Sequence, residues 1–268
     1  MGHPLRQYAR SVLAFYADAG VTALLADAPA DQREALPVPQ TAPPATPAPL
    51  GPAAAKSVAE GLAAGARSLE DLRKAVEGFT DLDIARRARA VFADGAAGAA
   101  LMVVGEAPGA EEDRAGLPFV GESGRLLDRV LGAAGWSRAR DVYITNAVLW
   151  RPPGNRTPTE GEVEACRPIL LRHIELAAPR VVLACGKVAA AALLGLADPI
   201  SRLRGRWHAG PGGVPVRVTY HPAYLLRTPA QGKPAAWADA LAVLEHLREA
   251  RPEPGQIQGA PIPAPPRV

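Results

Sequence analysis

Between residues 90 and 249 four short apolar runs recur, at 100–104, 142–145, 181–184 and 214–219, all carrying β-branched side chains. All but the last are followed by a stretch whose apolar positions return at helical spacing. That alternation predicts an α/β fold built on a mainly parallel sheet with crossover helices. Behind Ser123, the residues Leu126, Leu127, Val130, Leu131 and Ala134 fall on one helix face. Thr159 and Glu162 make a capping box ahead of Val163, Cys166, Ile169 and Leu170, and 187–194 and 235–247 supply two further helices. Upstream, Ser68 and Asp71 mark the start of a helix within 57–79, and Leu5, Tyr8, Val12, Phe15 and Tyr16 lie near helical spacing.

Proline placement divides the chain. Of the 28 Pro, eight fall in 27–52 and six lie beyond Arg251, and neither stretch can bury a core. The expected organisation is an N-terminal helix at 1–26, a Pro/Ala-rich disordered linker at 27–56, a folded domain at 57–250 and a disordered tail at 251–268. No apolar run approaches the ~18 residues of a transmembrane helix, so no membrane is expected among the partners. The start MGHPLRQYAR has no apolar signal core, and two cysteines, Cys166 and Cys185, make neither a disulfide scaffold nor by themselves a four-ligand metal site. A reduced, cytoplasmic location is the expectation. Thirty basic residues against 27 acidic ones give a net charge of +3, yet the stretch 199–233 alone carries Arg202, Arg204, Arg206, Arg217, Arg227 and Lys233 with no acid.

In a parallel sheet of this kind ligands sit beyond the carboxyl ends of the strands. The first run ends in Gly105-Glu106-Ala107-Pro108-Gly109, a sharp turn whose amides can face a ligand, while Glu106, Glu111, Glu112 and Asp113 argue against a phosphate cradle. Phe119 follows in a loop framed by Gly and Pro. The second run ends at Asn146, whose amide offers an acceptor and a donor side by side and can read a pyrimidine edge. The fourth ends at His221, held by Pro222 and placed to donate a hydrogen bond into a pocket. The basic stretch, with Tyr224, Leu225 and Leu226 as exposed tips, suits a surface that grips phosphates and drives a wedge into a base stack. Plainer readings stand beside these: an acidic surface turn, a core phenylalanine, an asparagine closing a turn, a structural histidine and a solvated basic face.

The strings GEAPGAEED, GLPFVGESGRLLD, VYITN, RPPGNRTPT with EACRP, GRW and YHPAYLLR occur in that order over residues 79–247. Together they resemble the uracil-DNA glycosylase superfamily, most of all its family 4. The resemblance implies a three-layer α/β/α fold around a central four-stranded parallel sheet. It also implies hydrolysis of the N-glycosidic bond of deoxyuridine in DNA, by base flipping, leaving an abasic site. On it, Glu106 positions water or stabilises the cationic sugar, Asn146 pairs with the uracil edge, and His221 hydrogen-bonds uracil O2. Phe119 stacks on the base, Ala107 lies in the same substrate pocket, and Glu112 stands against C5, where thymine carries its methyl group. Arg156 and Tyr224 are implied DNA contacts, and Leu225, Leu226 and Arg227 match an intercalation loop. The partner implied is uracil-containing DNA, bound by a monomer.

Family 4 members hold a [4Fe–4S] cluster on four cysteines, and here only Cys166 matches. Residues 80–83 carry no Cys, Trp150 stands before Arg151-Pro152-Pro153, and Cys185 reads as a small core residue in its apolar run. One thiolate cannot hold the cluster, so neither cofactor nor metal is expected, and Trp150 is expected to fill the space as an aromatic plug. Two other functions stay open: a glycosylase for another deaminated base, and a catalytically silent DNA-binding module.

Overall fold

Strands β1 (Asp94–Gly95), β2 (Leu101–Gly105), β3 (Val142–Asn146), β4 (Val181–Cys185), β5 (Trp207–Ala209) and β6 (Pro215–Thr219) form one sheet in the order β1-β3-β2-β4-β6-β5. The computed structural model describes residues 50–249. The expected N-terminal helix, most of the linker and the tail lie outside the described residues. The inner four strands are parallel, as the apolar runs predict. The outer two, β1 and β5, pair antiparallel and add to the expected count of four. At two and three residues they are too short to show a hydrophobic period.

Alternation along each inner strand sorts its side chains to two faces. Met102, Val104, Tyr143, Val182, Ala184, Val216 and Val218 share one core with α1 (Pro52–Gly65), α2 (Leu69–Glu77), α7 (Glu160–Ala177) and α8 (Lys187–Leu194). Leu101, Val103, Val142, Ile144, Val181, Leu183 and Cys185 pack on the other face against Leu127 and Leu131 of α5 (Glu122–Ala133) and Val243 of α11 (Pro229–Glu249). The result is three layers, α/β/α. Each branched side chain removed from water contributes roughly 1.5–3 kcal/mol, and β4 has no position that reaches solvent. The remaining helices are short: α3 (Asp83–Arg87), α4 (Ala110–Ala115), α6 (Arg138–Asp141), α9 (Ile200–Leu203) and α10 (Pro222–Arg227). No described helix is long and apolar enough to cross a membrane.

Local motifs act where their chemistry places them. The Ser68 hydroxyl accepts from the Asp71 amide at 3.1 Å, and Thr159 and Glu162 exchange bonds of 3.2 and 2.8 Å at the start of α7. One boundary moves: α1 begins at Pro52, inside the stretch expected to be linker. Proline is favoured at a helix start, where its missing N–H has no partner to lose. Ala55 and Ala59 are fully buried, and Lys56 pairs with Glu164 of α7 at 2.9 Å.

A buried charge ties the last helix to the sheet. Asp239 of α11 is fully buried. Its Oδ1 accepts from Arg217 Nε and Nη2 at 3.0 and 2.9 Å, and its Oδ2 accepts from Arg204 Nη2 at 3.1 Å. Removing one member of such a set leaves the other charges buried and unpaired, at a cost of about 3–5 kcal/mol. Asp239→Ala should therefore lower the unfolding free energy in urea by that amount; an unchanged midpoint would show that the set adds nothing to stability.

Candidate active site

At the carboxyl ends of β2 and β3 and the start of α10 opens a cavity of about 520 Å³. Glu106, Ala107, Glu112, Phe119, Asn146 and His221 all line it, with Arg156, Tyr224 and Arg227 at its walls. Strand register explains the convergence. Gly105 of β2 lies opposite Asn146 of β3, and past the strand ends Ala147 N–H donates to Gly105 O at 2.9 Å and Val148 N–H to Glu106 O at 3.0 Å. Asn146 is thereby held beside Glu106 and is 3% exposed.

Only glycine fits at 105. A Cβ there would lie 2.3 Å from Asn146 Oδ1 and 2.5 Å from the Phe119 ring, so amide and ring both close on this point of the backbone. Phe119 reaches it from a left-handed backbone conformation, φ +53°, and its ring stands 5.7 Å from that of His221 at 28°. A phenylalanine in that conformation carries strain on the order of 1–3 kcal/mol, which its neighbours must offset.

The four acids of the first loop separate by partner. Glu112 accepts from the Gly109 amide at 3.0 Å with Oε2, and from those of Val120 and Gly121 at 3.0 and 2.8 Å with Oε1. Asp113 accepts from the Arg89 amide at 2.9 Å, and Glu111 lies 3.4 Å from Arg125. Glu106 differs. Burial raises its pKa above the usual carboxylate value, and a hydrogen bond from Thr157 opposes the rise. Thr157 lines the cavity and was missed in sequence, where its loop showed only proline and positive charge.

His221 is fixed in one tautomer. Its Nδ1 accepts the Ala223 amide at 3.2 Å, which leaves the proton of the neutral ring on Nε2. Burial, and then the charge of Arg227, push its pKa down to about 4 against the opposing pull of Glu112. The ring is therefore a neutral donor at physiological pH.

A family model for the uracil DNA glycosylase superfamily matches residues 92–245. The chain belongs to the uracil-DNA glycosylase superfamily. It is similar to the type-4 uracil-DNA glycosylase of Pyrobaculum aerophilum, 46% identical over 151 residues that cover 54% of this chain and 76% of that protein. The type-4 enzyme of Thermotoga maritima is 44% identical over 142 residues, covering 53% and 73%. A type-5 uracil-DNA glycosylase of Pyrobaculum aerophilum matches at 37% over 142 residues, covering 47% and 62%.

Within this superfamily fold the expected DNA-contact residues divide. Leu225 is 2% exposed and packs with Leu126 and Ala236, so it is a core residue and not an exposed tip. The segment expected to be an intercalation loop is helix α10, whose spacing turns Leu225 inward while Tyr224 and Leu226 stay partly exposed and Arg227 exposed. The Tyr224 ring lies 4.6 Å from that of Tyr220, tilted by 31°. Arg156 is held by Glu162 in a two-pronged pair at 2.8 and 2.7 Å. The basic stretch is thinner than its sequence suggested. Arg204 and Arg217 neutralise Asp239 and Arg202 lies 3.9 Å from Asp198, while Arg206, Arg227 and Lys233 are exposed.

The iron–sulfur cluster of family 4 does not fit the residues present. Cys166 is 1% exposed and shares a core with Trp150, also 1% exposed, and with Phe79, whose ring lies 5.4 Å from the Trp150 ring. A [4Fe–4S] cluster needs four ligands, and the chain's second cysteine, Cys185, packs in the core on the opposite face of the sheet. Among the described residues no three His, Cys, Asp or Glu side chains gather to hold a metal.

Because the unfolded chain binds a proton on His221 near 6.5 and the folded one near 4, the neutral ring contributes stability above pH 6.5 that is lost as pH falls toward 4. An NMR titration should place the His221 midpoint near 4; a midpoint at 6.5 would contradict the neutral-donor assignment.

Proposed function

We propose that this protein is a uracil-DNA glycosylase that flips deoxyuridine out of DNA, hydrolyses its N-glycosidic bond and leaves an abasic site for base excision repair. The observation that carries the reading is the convergence of Glu106, Phe119, Asn146 and His221 on one cavity at the strand ends.

A base stacked in a duplex is out of reach, so it must leave the stack before its sugar bond can break. The flipped uracil stacks on Phe119 and pairs its edge with the Asn146 amide. As the C1′–N1 bond breaks, the electron pair moves onto uracil, and the sugar becomes oxocarbenium-like. The His221 Nε2 proton meets the charge growing at O2. A donor fixed in advance in this way is typically worth about 3 kcal/mol, or two orders of magnitude in rate. The Glu106 carboxylate stabilises the cationic sugar and orients the water whose oxygen bonds to C1′, taking the proton that the water releases. Its raised pKa brings it closer to the proton it must accept. Glu111, Glu112 and Asp113 have partners within the fold, which favours Glu106 for this step.

Ala107, beside Glu106, completes the pocket turn. Glu112 excludes thymine sterically. Three amides hold its carboxylate, so it stands against C5 as a wall that cannot swing away from a methyl group. Leu226 and Tyr224 take the part of the wedge, Arg227 grips phosphate, and Arg156 meets the backbone through the pocket rim. The same reading has the protein act on DNA as a monomer in the cytoplasm. Trp150 replaces the packing of the family 4 cluster, and the enzyme works without iron.

The test is cleavage of single-stranded, U:G, U:A and T:G oligonucleotides in EDTA, followed by alkali. Uracil strands should yield alkali-labile product and the thymine strand none; no product from any uracil strand overturns the reading. Asn146→Ala and His221→Ala should each lower single-turnover cleavage about 100-fold. The rate should fall with decreasing pH through a limb above 4.5 that disappears in Glu106→Gln. Purified protein should be colourless with no stoichiometric iron by elemental analysis, and four iron atoms per chain would refute the aromatic plug.

A further inference from the structure

We propose that Arg138 is a positioning residue of the pocket: anchored on Asp94 and Asp128, its guanidinium holds the carbonyls of Pro118 and Phe119 and so sets the Phe119 ring against Asn146 and His221. The proposal rests on the glycosylase reading above and adds to it a residue that does not touch substrate.

Arg138 sits in α6, immediately before the strand that ends at Asn146. Its side chain is 20% exposed, and all three guanidinium nitrogens are engaged. Nη1 donates to Asp94 Oδ2 at 2.7 Å and to Pro118 O at 3.1 Å, Nε donates to Asp128 Oδ1 at 2.8 Å, and Nη2 donates to Phe119 O. The two carboxylates come from the edge strand β1 and from α5, so the fork is aimed from both sides before it reaches the loop.

The carbonyl it grips is the one that matters for the ring. Phe119 holds φ +53°, and the amides after it, Val120 and Gly121, are bound by Glu112. Arg138 fixes the same peptide unit from the carbonyl side. Gly124 shows how tight the fit is: a Cβ there would lie 1.8 Å from Phe119 O. A planar fork that bonds two carbonyls and two carboxylates at once is a geometry lysine cannot copy. The same side chain therefore links the loop bearing the stacking ring to the strand bearing the reading amide. Stacking without that alignment loses the orientation that brings C1′ to Glu106 and O2 to His221.

The experiment compares Arg138→Ala and Arg138→Lys, each alone and combined with Phe119→Ala, in single-turnover cleavage of a uracil-containing strand over a range of enzyme concentrations. Arg138→Ala should lower the saturating rate about tenfold with a smaller change in the half-saturating concentration. Arg138→Lys should recover only part of it. In the Phe119→Ala background the same substitution should cost no more than about twofold, since the ring it positions is gone. Equal losses in both backgrounds, tracking a fall in unfolding midpoint, would overturn the proposal. Hydrogen exchange supplies a readout that needs no activity: amides 118–124 should exchange faster in Arg138→Ala while the inner strands stay protected. Unchanged exchange would also overturn it. A wild-type protein that cleaves no uracil strand would sink the glycosylase reading and leave the exchange result to decide the structural half alone.

Discussion

Phe119 stands in a conformation that a phenylalanine keeps only when the chain on both sides of it is held. Glu112 binds the two amides that follow, and Arg138 binds the carbonyls of Pro118 and of Phe119 itself. The ring that results lies against Gly105 and beside His221, and the Asn146 amide meets it over the same glycine. The Asn146 amide and the His221 imidazole are both placed about that ring. On the proposed function, a planar base entering the cavity stacks on a surface whose tilt is set before it arrives, and hydrogen bonds placed in advance act on the transition state with no reorganisation.

Most of the charged side chains near the site serve to build it. Glu112 and Asp113 accept from backbone amides, Arg138 joins two carboxylates to two carbonyls, and Arg156 is tied to Glu162. Asp239 absorbs two arginines of the basic stretch. Ions with several partners of this kind are immobile and shape the cavity. Glu106, facing the cavity with a raised pKa, and His221, neutral with its proton on Nε2, differ from them in keeping capacity for a substrate. Acid and donor are thereby given opposite protonation behaviour by one environment: burial raises the carboxyl and lowers the imidazole.

Cys166, Trp150 and Phe79 belong to one buried core, in which the Trp150 and Phe79 rings lie 5.4 Å apart, and a tryptophan so buried removes roughly 150–250 Å² from water. The layer formed by α1, α2 and α7 is thus held by packing, with the small residues Ala55 and Ala59 letting α1 lie close.

The parallel sheet and its helices were legible in the chain because their signals are local. Val, Ile and Leu runs at even spacing mark buried parallel strands, and Ser68 and Thr159 cap helices through partners three residues away. The site was legible as a set of strand-end residues for the same reason, since parallel strands put all their carboxyl ends on one side. Three-dimensional packing decided the rest. The helical turn from Pro222 to Arg227 places Leu225 inward, β1 and β5 exist only because longer strands offer them an edge, and Pro52 starts a helix because α7 is there to receive it. That Glu112 is tied down depends on amides contributed by a loop eight and nine residues away, and which arginines of the basic stretch stay unspent depends on Asp239, 22 residues beyond Arg217. Charge and hydrophobicity belong to the residue and are written in the sequence; whether a charge is spent or a leucine exposed belongs to its neighbours, and those are chosen by the fold.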